Sequence, residues 1–335
     1  MIPRELVRRT LEFDSPERIP RHIWVLPWAV HQHPEQVAAI QKRFPDDVVT
    51  SPPFYRTPLP TVGDRYEVGT YTDEWGCTFS NLQRGIIGIV KTPSIRDWSD
   101  LETLRAPEER LSVDVDQVNR FCRQDGRFVL AGCWPRPFEQ LQFLRGTENV
   151  LIDLATGSEG LTRLLRTLHE FYLRELELWS RTEVDALTLM DDWGSQDAML
   201  ISPAMWRAIF KPLYREYVEI ARRSGKYFFM HSDGHIVDIL DDLIELGVDA
   251  VNSQVACMGA DLLGERFAGR MTFWGELDRQ RLLPQGTPDE VREAVRHTTA
   301  ALWRNGGLIA QCEFGLNARP ENVQAAFEAW EAIRV

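Results

Sequence analysis

The sequence predicts a (β/α)8 barrel, an α/β fold with a parallel sheet rolled up inside a layer of helices. Three observations carry that prediction. Short apolar runs alternate repeatedly with longer amphipathic segments, and the loops between them are short. No Gly-x-Gly-x-x-Gly follows any of the apolar runs, which disfavours a dinucleotide-binding sheet. The chain has 335 residues, enough for one barrel, so one domain over 1–335 is expected.

The elements follow in order. Residues 4–13 read as a helix, Arg21 to Leu26 as the first strand, Pro34 to Phe44 as a helix and Val48-Val49 as a short strand. The proline-rich stretch 53–64 has no period and reads as a loop. From Tyr66 to Lys91 the pattern changes, and Val68, Tyr71, Trp75, Ile86, Ile87, Ile89 and Val90 suggest an antiparallel hairpin inserted into the main fold. A helical segment opens at Asp97 and ends near Pro107. Arg127 to Gly132 is a strand, and helices follow over 136–145, 148–156 and 158–181. Ala186 to Met190 is a strand ending in Asp191-Asp192-Trp193-Gly194. Ser202-Pro203 opens a helix to Arg223, with a kink expected at Pro212.

The strand Tyr227-Phe228-Phe229-Met230 then ends in His231-Ser232-Asp233-Gly234. Ile236 to Leu246 is a helix closed by Gly247, Asp249 to Asn252 a strand, and Ala260 to Phe267 a helix. Met271 to Trp274 is a strand ending in Gly275-Glu276. Thr287-Pro288-Asp289-Glu290 is a capping box that opens a helix to Arg304. Leu308 to Gln311 is a strand ending in Cys312-Glu313, and Pro320 opens the last helix.

Composition narrows the function classes. The formal net charge is -12 with the acids spread along the chain, which argues against a nucleic-acid partner. No run approaches a membrane span, and the first residues carry charge rather than an apolar signal core, so a cytoplasmic protein is expected. The cysteines, Cys77, Cys122, Cys133, Cys257 and Cys312, form no Cys-x-x-Cys pair, which makes them free thiols or metal ligands.

In a barrel the polar strand tips converge on one mouth. Here they are His22, Trp134, Asp191, Asp192, His231, Asp233, Asn252, Gln254, Glu276 and Cys312. Alternation along a strand turns His231 and Asp233 toward the same point. Imidazole, carboxylate and thiolate make a zinc donor set, so His231, Asp233 and Cys312 are metal candidates. The plain alternative makes His231 a satisfied strand-end residue and Cys312 a small buried hydrophobe. Asp191 and Asp192 read as a base or a positioning pair, or else as an acidic turn. Glu276 reads as a catalytic group or fourth ligand, or else as a solvated turn residue. Trp24, Trp28, Trp134, Trp193 and Trp274 fall near strand ends and would form an aromatic cup for a planar ligand, with core packing as the alternative for each.

These motifs carry a family resemblance. His231-Ser232-Asp233-Gly234, Phe273-Trp274-Gly275, Gly286 to Val291 and Pro320-Glu321-Asn322-Val323 come in the order seen in the uroporphyrinogen decarboxylase superfamily. Pro16-Glu17-Arg18-Ile19-Pro20 and Asp73-Glu74-Trp75-Gly76 resemble its methyltransferase branch. The resemblance implies a (β/α)8 barrel and one of two chemistries. Uroporphyrinogen decarboxylases use no metal and carry an arginine pair after the first strand, where this chain has Leu26-Pro27-Trp28-Ala29. Their histidine before Pro-Glu-Asn corresponds to Cys312. The other chemistry is that of zinc methyltransferases working with corrinoid proteins, whose metal motif is His-x-Cys and a distant cysteine. His231 and Cys312 fall on its first and last positions, and Asp233 stands where the middle cysteine would be.

The resemblance therefore implies a methyltransferase using zinc and a corrinoid carried by a partner protein. His231, Asp233 and Cys312 would hold the metal, and Asp191, Asp192 and Glu276 would be catalytic. Trp24, Trp28, Trp134, Trp193, Gln254 and Trp274 would meet the substrate. A hard aspartate in place of a thiolate leaves zinc more electrophilic, which suits an oxygen substrate such as a methyl ether. The alternatives are a metal-free carboxy-lyase and a non-catalytic ligand-binding barrel.

Overall fold

The structure, a computed structural model, describes residues 1–335. Eleven strands occur: β1 (Arg21–Val25), β2 (Val48–Thr50), β3 (Gly69–Thr72), β4 (Thr78–Asn81), β5 (Ile89–Thr92), β6 (Phe128–Leu130), β7 (Ala186–Met190), β8 (Tyr227–Ser232), β9 (Ala250–Ser253), β10 (Thr272–Trp274) and β11 (Leu308–Phe314). Eight of them form one parallel sheet in the order β1-β11-β10-β9-β8-β7-β6-β2. The remaining β3, β4 and β5 form a separate antiparallel sheet, one strand more than the expected hairpin.

The large sheet curls until its two end strands face each other. There the Asp47 amide donates to the Arg21 carbonyl at 2.8 Å. The Asp46 and Asp47 carboxylates accept from the amides of Ile23 and Arg21 at 2.7 and 2.8 Å. Side chains thus replace part of the backbone ladder at the seam, and the barrel is nearly closed. Its interior is packed by Val48, Phe128, Leu130, Ala186, Phe229, Ala250, Trp274 and Ile309, with Val7 and Leu11 of helix Pro3–Leu11. A larger apolar cluster lies between the strands and the outer helices. The central strands, β6 to β11 of the large sheet, are therefore buried on both faces, as their apolar runs require.

The helix layer departs from expectation at several places. The segment from Ser202 is two helices, Pro203–Ile209 and Lys211–Arg223, divided at Phe210 just ahead of Pro212. Val115–Gln124 is a helix that was not expected; Asp114 caps it by accepting from the Gln117 amide, and it buries Val118 and Cys122. Pro27–Gln32 is a short helix directly after β1. No helix is long and apolar enough to cross a membrane.

Candidate active site

Asp192 follows β7, His231 lies in β8 and Asp233 follows it. Their ligand atoms all lie within 4.8 Å of one another. His231 Nε2 is 3.5 Å from Asp192 Oδ1 and 3.6 Å from Asp233 Oδ1. The backbone sets this geometry. The Asp192 carboxylate accepts from the Asp233 amide at 2.9 Å. Gly194 and Gly234 let the two loops touch backbone to backbone. A Cβ on Gly194 would stand 2.3 Å from the His235 nitrogen, and one on Gly234 would stand 2.1 Å from the Gly194 oxygen.

His231 is oriented from behind. Asn252 donates its amide N–H to the Trp274 carbonyl, so its Oδ1 faces His231 Nδ1, at 2.6 Å. Nδ1 then carries a proton and Nε2 points at the two carboxylates. Burial pulls the imidazole pKa down, but the hydrogen bond and charge of Asp192, with the charge of Asp233, outweigh it and raise the value to about 9. Burial also opposes ionisation of Asp192, yet His231 holds it down at about 2. Without another cation, the imidazolium proton is what this site offers its two carboxylates, together with Arg279 at Asp233.

The same geometry fits a divalent metal. A tetrahedral ion with bonds of about 2.0–2.1 Å sets its donors roughly 3.3 Å apart, close to the spacings found. Asp233 Oδ1 is buried and has no hydrogen-bond partner. An imidazole whose other nitrogen is held by a hydrogen bond is the usual arrangement of a ligating histidine. The donor set is one nitrogen and two oxygens, and no sulfur is among them.

Cys312 is not brought to this cluster. In β11 its Cα pairs with that of Ile23, and both side chains belong to the apolar layer under the helices. The inward residues of β11 are its neighbours, Gln311 and Glu313, which pair with His22 and Trp24. A one-residue step along a strand reverses the side chain. Burial pushes the Cys312 thiol up and keeps it neutral, as suits a small core residue.

The Asp191-Asp192 pair splits in the same way. Asp192 joins His231, whereas Asp191 turns outward and is fully buried. It accepts from the amides of Phe138 and Glu139, at 3.0 and 2.7 Å, at the start of helix Pro137–Arg145, and from the Tyr214 hydroxyl at 2.7 Å. Burial outweighs these bonds and raises its pKa to about 8. Asp191 ties β7 to a helix N-terminus and does not reach the mouth.

The five tryptophans divide as well. Trp24 lies 5.3 Å from His231, centroid to centroid, and 5.3 Å from Trp274. Trp134, after β6, is half-buried against the inner core. Both pack on the inner core of the barrel. Trp274 is fully buried below them, stacked on His22 at 5.5 Å. Its indole N–H donates to His22 Nδ1, and burial holds His22 neutral, with its pKa lowered to about 3. Trp193 packs outside the barrel on Phe138 at 4.3 Å and donates to the Tyr214 hydroxyl. Trp28, at the start of a helix, is buried against His33. Neither Trp193 nor Trp28 faces the mouth.

On the β10–β11 side, Arg279 reaches three carboxylates. It pairs with Asp233 Oδ2, with Glu276 at 3.3 Å and with Glu313 at 3.1 Å. Glu276 is nearly inaccessible; burial raises its pKa to about 8, although Arg279 pulls it down. Gln254 accepts from the Gly234 amide at 3.2 Å and lines a cavity of 460 Å³ together with Glu276, Cys257, Arg279 and Arg281. Sequence reasoning missed Arg279 and Glu313. Inward parity from Trp24 across the β1–β11 pair would have found Glu313. No motif marks Arg279, which sits in a loop.

Known proteins bear on this chain in three ways. The pattern of the uroporphyrinogen decarboxylase (URO-D) family matches residues 70–333. A methyltransferase from Methanosarcina mazei has a similar structure, with a TM-score of 0.72 at 15% identity over 99% of this chain and 98% of that one. An endo-β-1,4-xylanase from Gloeophyllum trabeum gives a TM-score of 0.45 at 10% identity, over 98% and 99%. No curated protein is a sequence match to this chain. At 15% identity the likeness to the methyltransferase speaks for the fold.

Proposed function

The chain belongs to the uroporphyrinogen decarboxylase family, and on that footing we propose that it is a zinc-dependent methyltransferase. It moves a methyl group between a small substrate, of methyl-ether type, and the cobalt of a corrinoid carried by a partner protein. The observation that carries this reading is the cluster of Asp192, His231 and Asp233 at the barrel mouth. Zinc bound there supplies a Lewis acid that polarises the substrate heteroatom. The protein's own groups do the rest. Asn252 fixes the histidine, and Asp192 and Asp233 set the charge around it. Trp24 packs against the His231 ring, and Glu276 and Gln254 face the cavity where a substrate sits.

A carboxylate-rich tetrapyrrole meets the wrong charge here. Arg279 is already shared among three acids, and Arg136 is paired with Glu139 at 2.9 Å. Two measurements test the reading. Elemental analysis of protein supplied with zinc should find about one zinc per chain. Anaerobic incubation with reduced cobalamin and a methyl ether should give the methyl-cobalt absorption spectrum. No bound metal, or conversion of uroporphyrinogen at an ordinary enzymatic rate, overturns the proposal. Asp233→Cys should keep zinc at least as tightly and slow ether turnover, because a soft donor lowers the electrophilicity of zinc.

A further inference from the structure

Glu276 is the least explained polar group at the mouth. Its side chain is 3% exposed, yet Oε1 has no hydrogen-bond partner and the residue lines the 460 Å³ cavity. It is not one of the clustered metal-type donors, which are Asp192, His231 and Asp233. In either protonation state Oε1 needs a partner, because an unpaired buried polar atom forfeits the hydrogen bond it makes to water when unfolded. Gln311 packs against the preceding residue; a Cβ on Gly275 would be 2.2 Å from its Oε1. Gln311 is fully buried, and neither of its amide atoms has a partner. Glu276 and Gln311 are thus two buried side chains with unsatisfied polar atoms in the protein alone.

The charge balance indicates what would satisfy Glu276. Arg279 brings one guanidinium to Asp233, Glu276 and Glu313. Asp233 also faces the His231 imidazole, so Arg279 alone is left to Glu276 and Glu313, and a cation brought to Glu276 would favour the ionised form that its burial opposes. Asp197 and Asp278 add acid to the cavity lining. Arg281 also lines it and makes no ion pair, but it is exposed and stands at the outer rim.

We propose that the Glu276 side of the mouth is a subsite for a positively charged group, and that the substrate is a small methylated compound with an ammonium at the end away from the methyl-bearing heteroatom. The proposal rests on the reading that this mouth is the substrate site. The ammonium donates to Glu276 Oε1, and Glu313 with Arg279 keeps the Glu276 carboxylate in place. A charge-assisted hydrogen bond in a buried setting is about twice as strong as a neutral one, so the charge should show in affinity.

Three ligands of nearly equal size separate charge from shape: 2-methoxyethylammonium, 2-methoxyethanol and methoxyacetate. Their binding to the full chain is measured by calorimetry, with zinc supplied and with zinc chelated. The ammonium should bind about tenfold or more tightly than the alcohol, and methoxyacetate the most weakly. Glu276→Gln should abolish the ranking between ammonium and alcohol. Glu313→Gln should reduce it severalfold, because Arg279 then turns more fully to Glu276; this variant serves if Glu276→Gln does not fold. Equal affinity for all three, binding of none, preference for methoxyacetate, or a cation preference that survives Glu276→Gln overturns the subsite. Failure of the methyltransferase reading is separate. It would show as ammonium binding that depends on Glu276, with no methyl-cobalt formed from any donor.

Discussion

The two sides of the barrel mouth hold acidic groups in opposite ways. On the β7–β8 side, Asp192 and Asp233 flank one imidazole, and two loops locked together at Gly194 and Gly234 keep them there. On the β10–β11 side, the carboxylates of Glu276 and Glu313 share an arginine from a loop. The first side is built on strand ends and backbone contacts, so its spacing is fixed before any ion arrives. Holding donors near their final positions is what a metal site needs, since the cost of gathering like charges is met during folding. The second side carries its own cation on a flexible stem, which can adjust to a substrate. The difference fits the proposed division, with the metal on one side and substrate recognition on the other.

The largest effect should come from His231→Ala. Partners that only orient a metal ligand are worth about 10–100-fold in affinity, and removing the ligand itself should cost about a hundredfold or more. Competition with a chelating dye reads the loss. Zinc affinity within tenfold of the parent would show that the β7–β8 side does not hold the ion.

A sharper division uses two neighbouring residues. Asp192→Asn should weaken zinc by roughly tenfold or more and leave the melting temperature close to the parent's. Asp191→Asn should do the reverse. Its carboxylate serves two helix amides and a tyrosine, and an amide oxygen is a poorer acceptor for them. A loss of about 1–3 kcal/mol of stability is expected, with zinc affinity unchanged. If both variants lose zinc and neither loses stability, the assignment of inward and outward acids is wrong.

These two residues also show what the sequence made legible. The alternation of apolar runs and amphipathic segments was enough for the barrel, because strands buried on both faces and their covering helices leave separate marks. His231 and Asp233 were legible because one strand carries both, and its parity is internal to the motif. The set of residues meeting them was not. Whether Asp191 or Asp192 turns inward depends on where β7 stops being a strand, and a pair of acids gives no phase. Trp193 and Trp28 look like cup residues only if a strand is assumed to run as far as their loops. Arg279 reaches the mouth from a loop, where no periodicity exists to place it. Helix Val115–Gln124 was legible in principle, since Asp114 and Gln117 mark its start, but its apolar face is short.

The smallest expected effect belongs to Cys312, and the resemblance and the structure part most clearly there. The motif places Cys312 as the last ligand beside His231. The strand register places it with Ile23 beneath the helices, while Gln311 and Glu313 take the inward positions. For the thiol to reach His231, β11 would have to slip by one residue against β1. That slip would turn Leu308, Ala310 and Phe314 from the helix-facing core into the barrel interior, and bring Glu313 under the helices. Burying an unpaired carboxylate in an apolar layer costs several kcal/mol, more than one metal–sulfur contact can be assumed to return without rearranging the site. Cys312→Ala should therefore bind zinc as the parent does and lose only about 1 kcal/mol of stability, from a small vacated volume. Cys312→Ser should cost more, because its hydroxyl enters an apolar layer, again with zinc unchanged. Titrating both variants with zinc and melting them decides the matter. A tenfold loss of zinc affinity in both, without a common loss of stability, would place the thiol back at the metal and require a β11 register other than the one found.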